Sequence, residues 1–460
     1  MYLASSLGSA FIEGHQSNDL SAADKAPTCL KHYVGYSFPI NGKDRTPTSI
    51  GERMLREIFL PSFEAGINAG APTIMVNSAE VDGIPGHANY HYLTTILRNE
   101  LGFMGFTVSD WEDIIRLYSR DKVAASPREA VKMAVMAGVD MSMVPFNFSF
   151  YDLLLDLAQR GEVPVSRIDE AVTRILRVKY QSGLFERTET LTWQGDDESL
   201  YPKNKLTLLE AIKQKTSGKV TYVGGKNYQD EINIEQAVTE ARTHDVVVLA
   251  LGEKPYTETS GNIDTLNLPF PQLQLAQALF ATGKPVVLVT FGGRPRIITD
   301  IAQQANAVVL GFLPGMEGGV AMADVLFGDI NPSGKLPISY PRNTNDIVLY
   351  DHKPMESYAP NQYNPLYPFG HGLSYSEFET HGLTLDKTQI QVGEGIEVSV
   401  DVKNIGKMTG KETVLVYLND VVASVTRPTK QLKAYAKVEL KPNEIKKLHF
   451  TISADAMSLI

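Results

Sequence analysis

A chain of 460 residues, 43% hydrophobic and 21% charged, has the composition of a soluble globular protein of two to four domains and excludes a disordered, collagenous or coiled-coil protein. Its 43 basic and 53 acidic residues give a net charge of −10. The two signs are interspersed, which argues against a nucleic-acid or anionic-membrane surface and for a neutral or cationic partner. The single cysteine, Cys29, excludes an intrachain disulfide framework and a cysteine-based zinc site.

Residues 1–14 carry neither a basic n-region nor a long apolar h-region, so no signal peptide is visible; the chain is cytoplasmic or its natural start lies upstream. From residue 31 to about residue 184 apolar runs alternate with helical patterns. Residues 30–35, 73–77, 106–109 and 139–144 read as buried parallel strands in βα repeats. The punctuation of one helix is explicit: Ser126 as N-cap, Pro127 at the first position, Glu129 in the first turn and Gly138 at the end. Such units suggest a βα barrel, yet a closed one needs eight strands and about 250 residues, so about half of it is expected to be missing.

A second βα series covers residues 191–340. Strands are expected at 219–223, 246–251, 285–290 and 308–312, with helices at 233–242, 269–281 and 315–326, as in a doubly wound layer. Its apolar runs, residues 246–251 among them, stop far short of the 20 or so residues of a membrane span. A stretch dense in Pro, Tyr and Asn, residues 343–376, reads as an ordered linker. After it the period becomes two: 396–402, 412–417, 432–440 and 447–452 alternate apolar and polar residues, the signature of a β-sandwich. Such a sandwich needs roughly seven strands, so its last strands are expected to be absent as well.

In α/β folds reactive groups sit on loops after the carboxyl ends of strands. One such exit is Gly105-Phe-Thr-Val-Ser-Asp-Trp111, which sets a carboxylate beside an indole, the pairing a sugar-cleaving site needs; the plainer alternative makes Asp110 the cap of a helix at 112–118 and Trp111 core. The other exit, Leu251-Gly-Glu-Lys-Pro-Tyr-Thr-Glu-Thr-Ser-Gly261, carries Glu253 and Glu258, and the plainer reading is a solvated loop. Two carboxyl groups on separate domains can serve one glycosidic bond, one attacking the anomeric carbon and one protonating the leaving oxygen, about 5 to 5.5 Å apart in a retaining enzyme. His87 and His91 stand four apart without a zincin glutamate, so surface or capping roles and no metal are expected. The glycines at 292–293 and 315–319 read as tight turns rather than phosphate cradles. No nucleophile elbow and no dinucleotide fingerprint occur.

From residue 28 onwards the motifs resemble glycoside hydrolase family 3, in the branch of β-glucosidases and β-glucan exohydrolases. They are Leu30-Lys-His-Tyr-Val-Gly35, Ile74-Met-Val-Asn77 with Asp82-Gly-Ile-Pro85, the run from Leu97 to Trp111, Arg167-Ile-Asp169 through Arg174-Ile-Leu-Arg177, Gly252 to Glu258, Leu313-Pro-Gly-Met-Glu-Gly318, Gly334-Lys-Leu-Pro337 and Tyr367 to Tyr375. The resemblance implies Asp110 as nucleophile and Glu258 as acid/base. It implies Lys31 and His32 as ligands of the cleaved sugar, Arg116 as a basic residue near the nucleophile, and Trp111 and Trp193 as an aromatic clamp. Cations such as Lys31 and Arg116 would favour an ionised nucleophile, and an apolar cleft a protonated acid. No cofactor and no metal are implied.

The expected layout is an α/β chain: part of a (β/α)8 TIM barrel at 1–186, an α/β sandwich domain at 187–342, a linker at 343–376 and an incomplete fibronectin type III-like domain at 377–460. Departures from the family accompany the matches. Its first barrel strands, with a sugar-gripping aspartate and arginine, have no counterpart before Thr28. The junction from Glu186 to Trp193 is short, as though a segment were deleted. Ser78 stands where relatives often carry tyrosine. The function this implies is a retaining, exo-acting β-glucosidase on β-linked glucans or oligosaccharides. The alternatives are a catalytically impaired remnant or carbohydrate-binding protein, and a β-xylosidase of the same family. A β-N-acetylglucosaminidase is disfavoured, because the loop after His32 lacks the histidine-bearing stretch. Such relatives are often periplasmic or extracellular, and oligomeric state is not legible.

Overall fold

The computed structural model describes all residues except 18, 23, 184–203, 225–232, 347–348, 358–362 and 459–460. The chain divides into two compact units, residues 1–191 and 192–459.

The first unit opens on a helix, α1 (Tyr2–Gln16), which lies on α2 (Leu60–Asn68). Ser9 Oγ donates to the Ala65 carbonyl at 3.2 Å, and the buried Gln16 amide donates to Gly70 O at 3.0 Å while accepting from Thr28 N at 3.0 Å. Three parallel strands form the sheet in the order β1 (Cys29–Tyr33), β2 (Thr73–Val76) and β3 (Phe106–Val108). A parallel bridge from Val108 to Met141 adds the fourth expected segment. All four residues of β2 are buried, as a strand covered on both faces must be.

Helices follow the strands: α3 (Asp113–Ser119), α4 (Pro127–Ala137), α5 (Ser149–Gln159) and α6 (Val165–Gln181). The α4 punctuation is as expected, with Ser126 Oγ accepting from Glu129 N at 3.2 Å and Gly138 closing the helix at φ 125°. Leu55, Ile74, Leu93, Ile96, Leu97, Ile114, Leu117 and Leu157 make one continuous core between sheet and helices. Full burial of each such side chain is worth about 1.5 to 3 kcal/mol.

One carboxylate organises this unit. The Asp140 side chain is 0% exposed and pairs with Arg98 at 2.7 Å, Arg167 at 2.9 Å and Arg174 at 3.1 Å. It also accepts from the Thr107 amide of β3 at 3.0 Å. The motif arginines of α6 therefore bind the helix to the strand ends.

In the second unit α7 (Leu208–Lys215) and α8 (Ile234–Arg242) precede a parallel sheet ordered β4 (Val247–Gly252), β5 (Val286–Phe291) and β6 (Ala307–Phe312), with α9 (Phe270–Phe280) and α10 (Gly318–Phe327) following β4 and β6. The strand expected at 219–223 does not form. Three of these residues are exposed and Val220 and Val223 are only half-buried, so the run has no core to pack on despite its β-branched composition. Neither Gly292 nor Gly293 has the positive φ of a turn glycine. A Cβ on Gly292 would meet Glu253 Oε1 at 3.0 Å and one on Gly293 the Tyr256 hydroxyl at 2.7 Å, so both serve close packing.

The aromatic stretch after residue 343 packs on this layer: Tyr367 stacks on His371 with centroids 5.0 Å apart, and Tyr340 exchanges backbone bonds with Tyr367 and Leu366. Five antiparallel strands follow. β7 (Phe378–Leu385), β8 (Ile396–Asn404) and β11 (Ile445–Ile452) form one sheet with β8 central, and β9 (Gly410–Leu418) pairs with β10 (Gln431–Leu440) in the other. Val398, Val400, Ala434, Phe450 and Ile452 fill the space between them. β7 escaped the periodicity reading because most of its residues are exposed. Asn331 ties the two layers, accepting from Ser374 Oγ and Tyr375 N at 2.8 Å and donating to Thr409 O at 3.1 Å.

Replacing Asp140 by Asn removes the charge that three enclosed guanidinium groups share, and breaking a buried pair in this way costs about 3 kcal/mol or more. A urea titration of Asp140→Asn is expected to show that loss as a lowered midpoint with an unchanged slope.

Candidate active site

In the first unit, four chain segments deliver polar groups to the carboxyl-end rim of the parallel strands, the edge where an α/β sheet exposes its loops. β1 brings Lys31 and His32, β2 leads to Asn77 and Ser78, β3 to Ser109, Asp110 and Trp111, and the bridged segment to Met143. Asn77 is fully buried and holds two of these exits together, donating from Nδ2 to Val34 O at 2.8 Å and accepting from Ala79 N at 2.7 Å. The buried Ser109 does the same on the other side: its amide donates to Met141 O at 2.9 Å and its Oγ accepts from Met143 N at 2.8 Å.

Asp110 is 3% exposed. Its two carboxylate oxygens have different surroundings. Oδ1 accepts from the Trp111 amide at 2.6 Å and from Arg45 Nη2 at 3.2 Å. Oδ2 is buried with no hydrogen-bond partner among the described residues, the imidazole nitrogen His32 Nε2 standing 3.7 Å away, beyond hydrogen-bond reach. The Asp110 amide donates to His87 Nε2 at 3.2 Å. Burial pushes the His87 imidazole down to about 3, overriding the opposing pull of the Asp110 charge. His87 is therefore neutral, with its proton on Nδ1 so that Nε2 can accept.

Asp110 does not cap α3 through its side chain, and Trp111 is not core: it is 42% exposed, meeting Phe146 edge-on with centroids 5.8 Å apart. Beneath Asp110 lies a second carboxylate, Asp113, whose side chain is 0% exposed. Burial raises its pKa against the pull of Arg120 and Arg116, which stand 3.2 Å and 3.0 Å from Oδ1.

In the second unit the loop after β4 is anchored rather than solvated. Glu253 pairs with Arg296 at 2.6 Å and Arg294 at 3.3 Å, both on the loop after β5. The Arg294 guanidinium lies 3.9 Å over the Tyr256 ring while its Nε donates to the Tyr256 hydroxyl at 2.7 Å. A Cβ on Gly261 would stand 2.3 Å from the same ring, so the loop closes on Tyr256 only because residue 261 is glycine. Glu258 heads the short turn Glu258–Gly261, half-buried, with a left-handed φ of 55°. Gly252, Leu268, Phe291, Arg294, Arg296 and Tyr340 line a small cavity behind this loop.

Of the residues singled out from sequence, Lys31, His32, Asp110 and Trp111 lie on one rim of the first unit. Arg116 belongs to the layer below, on Asp113 rather than on Asp110. Glu258 lies in the second unit, and Trp193 falls outside the described residues. Two residues were missed. His87 was read as half of a histidine pair, whereas His91 is a half-exposed residue 3.9 Å from Glu52. Arg45 sits in a polar loop that offered no periodicity.

The chain's residues 1–178 match the glycosyl hydrolase family 3 N terminal domain, residues 169–375 the glycosyl hydrolase family 3 C-terminal domain, and residues 412–460 the fibronectin type III-like domain. It is 32% identical to a periplasmic beta-glucosidase of Salmonella typhimurium, with 99% of this chain and 72% of that protein covered. The chain belongs to glycosyl hydrolase family 3. Another family 3 relative, a lysosomal beta glucosidase of Dictyostelium discoideum, is 37% identical over 549 residues, covering 100% of this chain and 66% of that one. The chain thus spans just under two thirds of that relative's length. An aligned span longer than the 460 residues of this chain means that the relative carries internal segments with no counterpart here. A beta-xylosidase of Formosa agariphila is 32% identical, with 100% and 75% covered. A beta-glucosidase from Listeria innocua, solved in complex with isofagomine, superposes with a TM-score of 0.88 at 30% identity, over 99% of this chain and 74% of that one. The family fold is therefore that of a barrel-like N-terminal domain, an α/β domain and a fibronectin type III-like domain. Among the described residues no helix is long and apolar enough to cross a membrane.

The neutral His87 makes stability depend on pH. The unfolded chain protonates this histidine near 6.5 and the folded one only near 3. Between those values the unfolded state binds more protons, so lowering the pH through this window destabilises the fold. Urea midpoints measured from pH 7 to pH 4 are expected to fall less steeply in His87→Gln than in the wild type.

Proposed function

We propose that the protein is a retaining, exo-acting β-glucosidase that removes terminal β-D-glucosyl residues from glucans or oligosaccharides, with Asp110 as nucleophile and Glu258 as acid/base. The observation that carries this reading is the asymmetry of Asp110: a buried carboxylate with one oxygen held by two donors and the other without a hydrogen-bond partner among the described residues, on the rim where the strands end. Leaving a buried charged oxygen unsatisfied is costly; Asp113 Oδ2 shares that state, and it is the position of Asp110 at the strand-exit rim that favours the role of nucleophile for its open oxygen. The names of the relatives support the substrate class.

In the first step Asp110 Oδ2 bonds to the anomeric carbon as the glycosidic bond breaks, the electron pair going to the leaving oxygen and Glu258 supplying its proton. In the second step a water oxygen attacks the same carbon, its proton passes to Glu258, and the carbon–Oδ2 pair returns to Asp110. Lys31 and His32 bind hydroxyls of the cleaved sugar, and Trp111 stacks on the neighbouring one. The β-xylosidase among the relatives favours a second reading, action on β-xylosides.

Incubation with a 2-deoxy-2-fluoro-β-glucoside followed by peptide mass mapping is expected to place a glycosyl adduct on Asp110. Glu258→Gln should lose about 10²- to 10⁴-fold in turnover of unactivated substrates, with azide restoring activity on activated aryl glucosides. Folded protein that binds glucan but forms no adduct overturns the assignment in favour of a carbohydrate-binding protein. The ratio of kcat/KM for nitrophenyl β-glucoside and β-xyloside decides between the two sugars.

A further inference from the structure

We propose that Arg45, seated on Ser78, is a positioning residue that holds the Asp110 carboxylate and speeds its departure from the covalent glycosyl intermediate. The inference rests on the reading of Asp110 as nucleophile.

Arg45 lies in the loop that follows β1, with a left-handed φ of 59°, a conformation that costs any residue but glycine and that persists where the surroundings impose it. The planar fork of its guanidinium spans two strand exits. Nη1 donates to Ser78 Oγ at 3.1 Å, beyond β2, and Nη2 donates to Asp110 Oδ1 at 3.2 Å, beyond β3. Nε lies 3.7 Å from Asp44 Oδ2. The three side chains concerned are enclosed, Arg45 being 18% and Asp110 4% exposed, and Ser78 buried. Ser78 is itself pinned, its carbonyl accepting from Arg120 Nη2 at 2.7 Å.

This arrangement has a direction. With Oδ1 committed to Arg45 and the Trp111 amide, Oδ2 is the oxygen left to attack. Once the ester has formed on Oδ2, Oδ1 becomes its carbonyl oxygen and the negative charge is gone. In the second step water attacks the anomeric carbon, its proton goes to Glu258, and the carbon–Oδ2 electron pair returns to the carboxylate. The charge that reappears is shared with Oδ1, where the guanidinium meets it in a charge-assisted bond. Removing Arg45 therefore slows departure of the carboxylate more than it slows attack. A lysine keeps the charge but cannot reach two acceptors with a planar fork.

The test compares wild type, Arg45→Met, Arg45→Lys and Ser78→Ala, each checked for an unchanged melting profile. Reactivation of the 2-fluoroglucosyl enzyme in buffer is followed together with steady-state hydrolysis of dinitrophenyl glucoside. Reactivation of Arg45→Met is expected to slow about tenfold or more, with kcat and KM falling together and kcat/KM changing less, the pattern of an accumulating intermediate. Arg45→Lys should recover part of the rate, and Ser78→Ala should lose a smaller part of it. Wild-type reactivation and wild-type kcat in a folded Arg45→Met overturn the role of Arg45 alone, as does an equal fall in kcat and kcat/KM. If the wild type itself takes no label on Asp110, the nucleophile assignment falls, and the role of Arg45 with it.

Discussion

The enclosed ion cluster around Asp140 fixes where the strands of the first unit end. Arg98 comes from the helix before β3, while Arg167 and Arg174 come from α6, and all three close on a carboxylate that also accepts from the Thr107 amide within β3. Desolvating four charges is expensive, and mutual attraction offsets that cost only when every partner is in place. The cluster therefore stabilises one arrangement of strand and helix more sharply than it stabilises folding in general. Three residues after Thr107 comes Asp110, so the register imposed at the cluster is passed to the rim.

At the rim the same logic recurs on a smaller scale. Asn77 and Ser109 spend their hydrogen bonds on neighbouring backbone, so the strand exits are joined by side chains whose polar atoms are already engaged. His87 contributes a neutral acceptor to the Asp110 amide, a task that a charged imidazole could not perform. Asp113, Arg116 and Arg120 form a layer of charge directly beneath. In the second unit, Glu253 and Tyr256 give their loop a comparable footing on the two arginines after β5.

Much of this was legible in the sequence, for reasons that can be named. Buried parallel strands are continuous apolar runs, so β2, β4, β5 and β6 could be read within a residue or two. Ser126, Pro127 and Gly138 punctuate α4 because each answers a local backbone requirement. Asp110 could be found because a strand exit, a carboxylate and an indole coincide. What could not be read depends on contacts between distant segments. The run 219–223 has β-forming residues but nothing to bury them against. β7 lies too exposed for its alternation to carry a signal. Arg45 belongs to a polar loop, and nothing in its neighbourhood says that its side chain ends on a residue 65 positions away. His87 looked like one of a pair, although the backbone sends it inward and leaves His91 outside.

The unequal treatment of the Asp110 oxygens also has a dynamic consequence. Rotating the carboxylate by half a turn about its Cβ–Cγ bond would exchange Oδ1 and Oδ2, but only by breaking the bonds to Trp111 and Arg45 together. Exchange of the two positions, nearly free in an isolated aspartate, therefore has to cross a barrier here, so at any instant one oxygen is held and the other is left open.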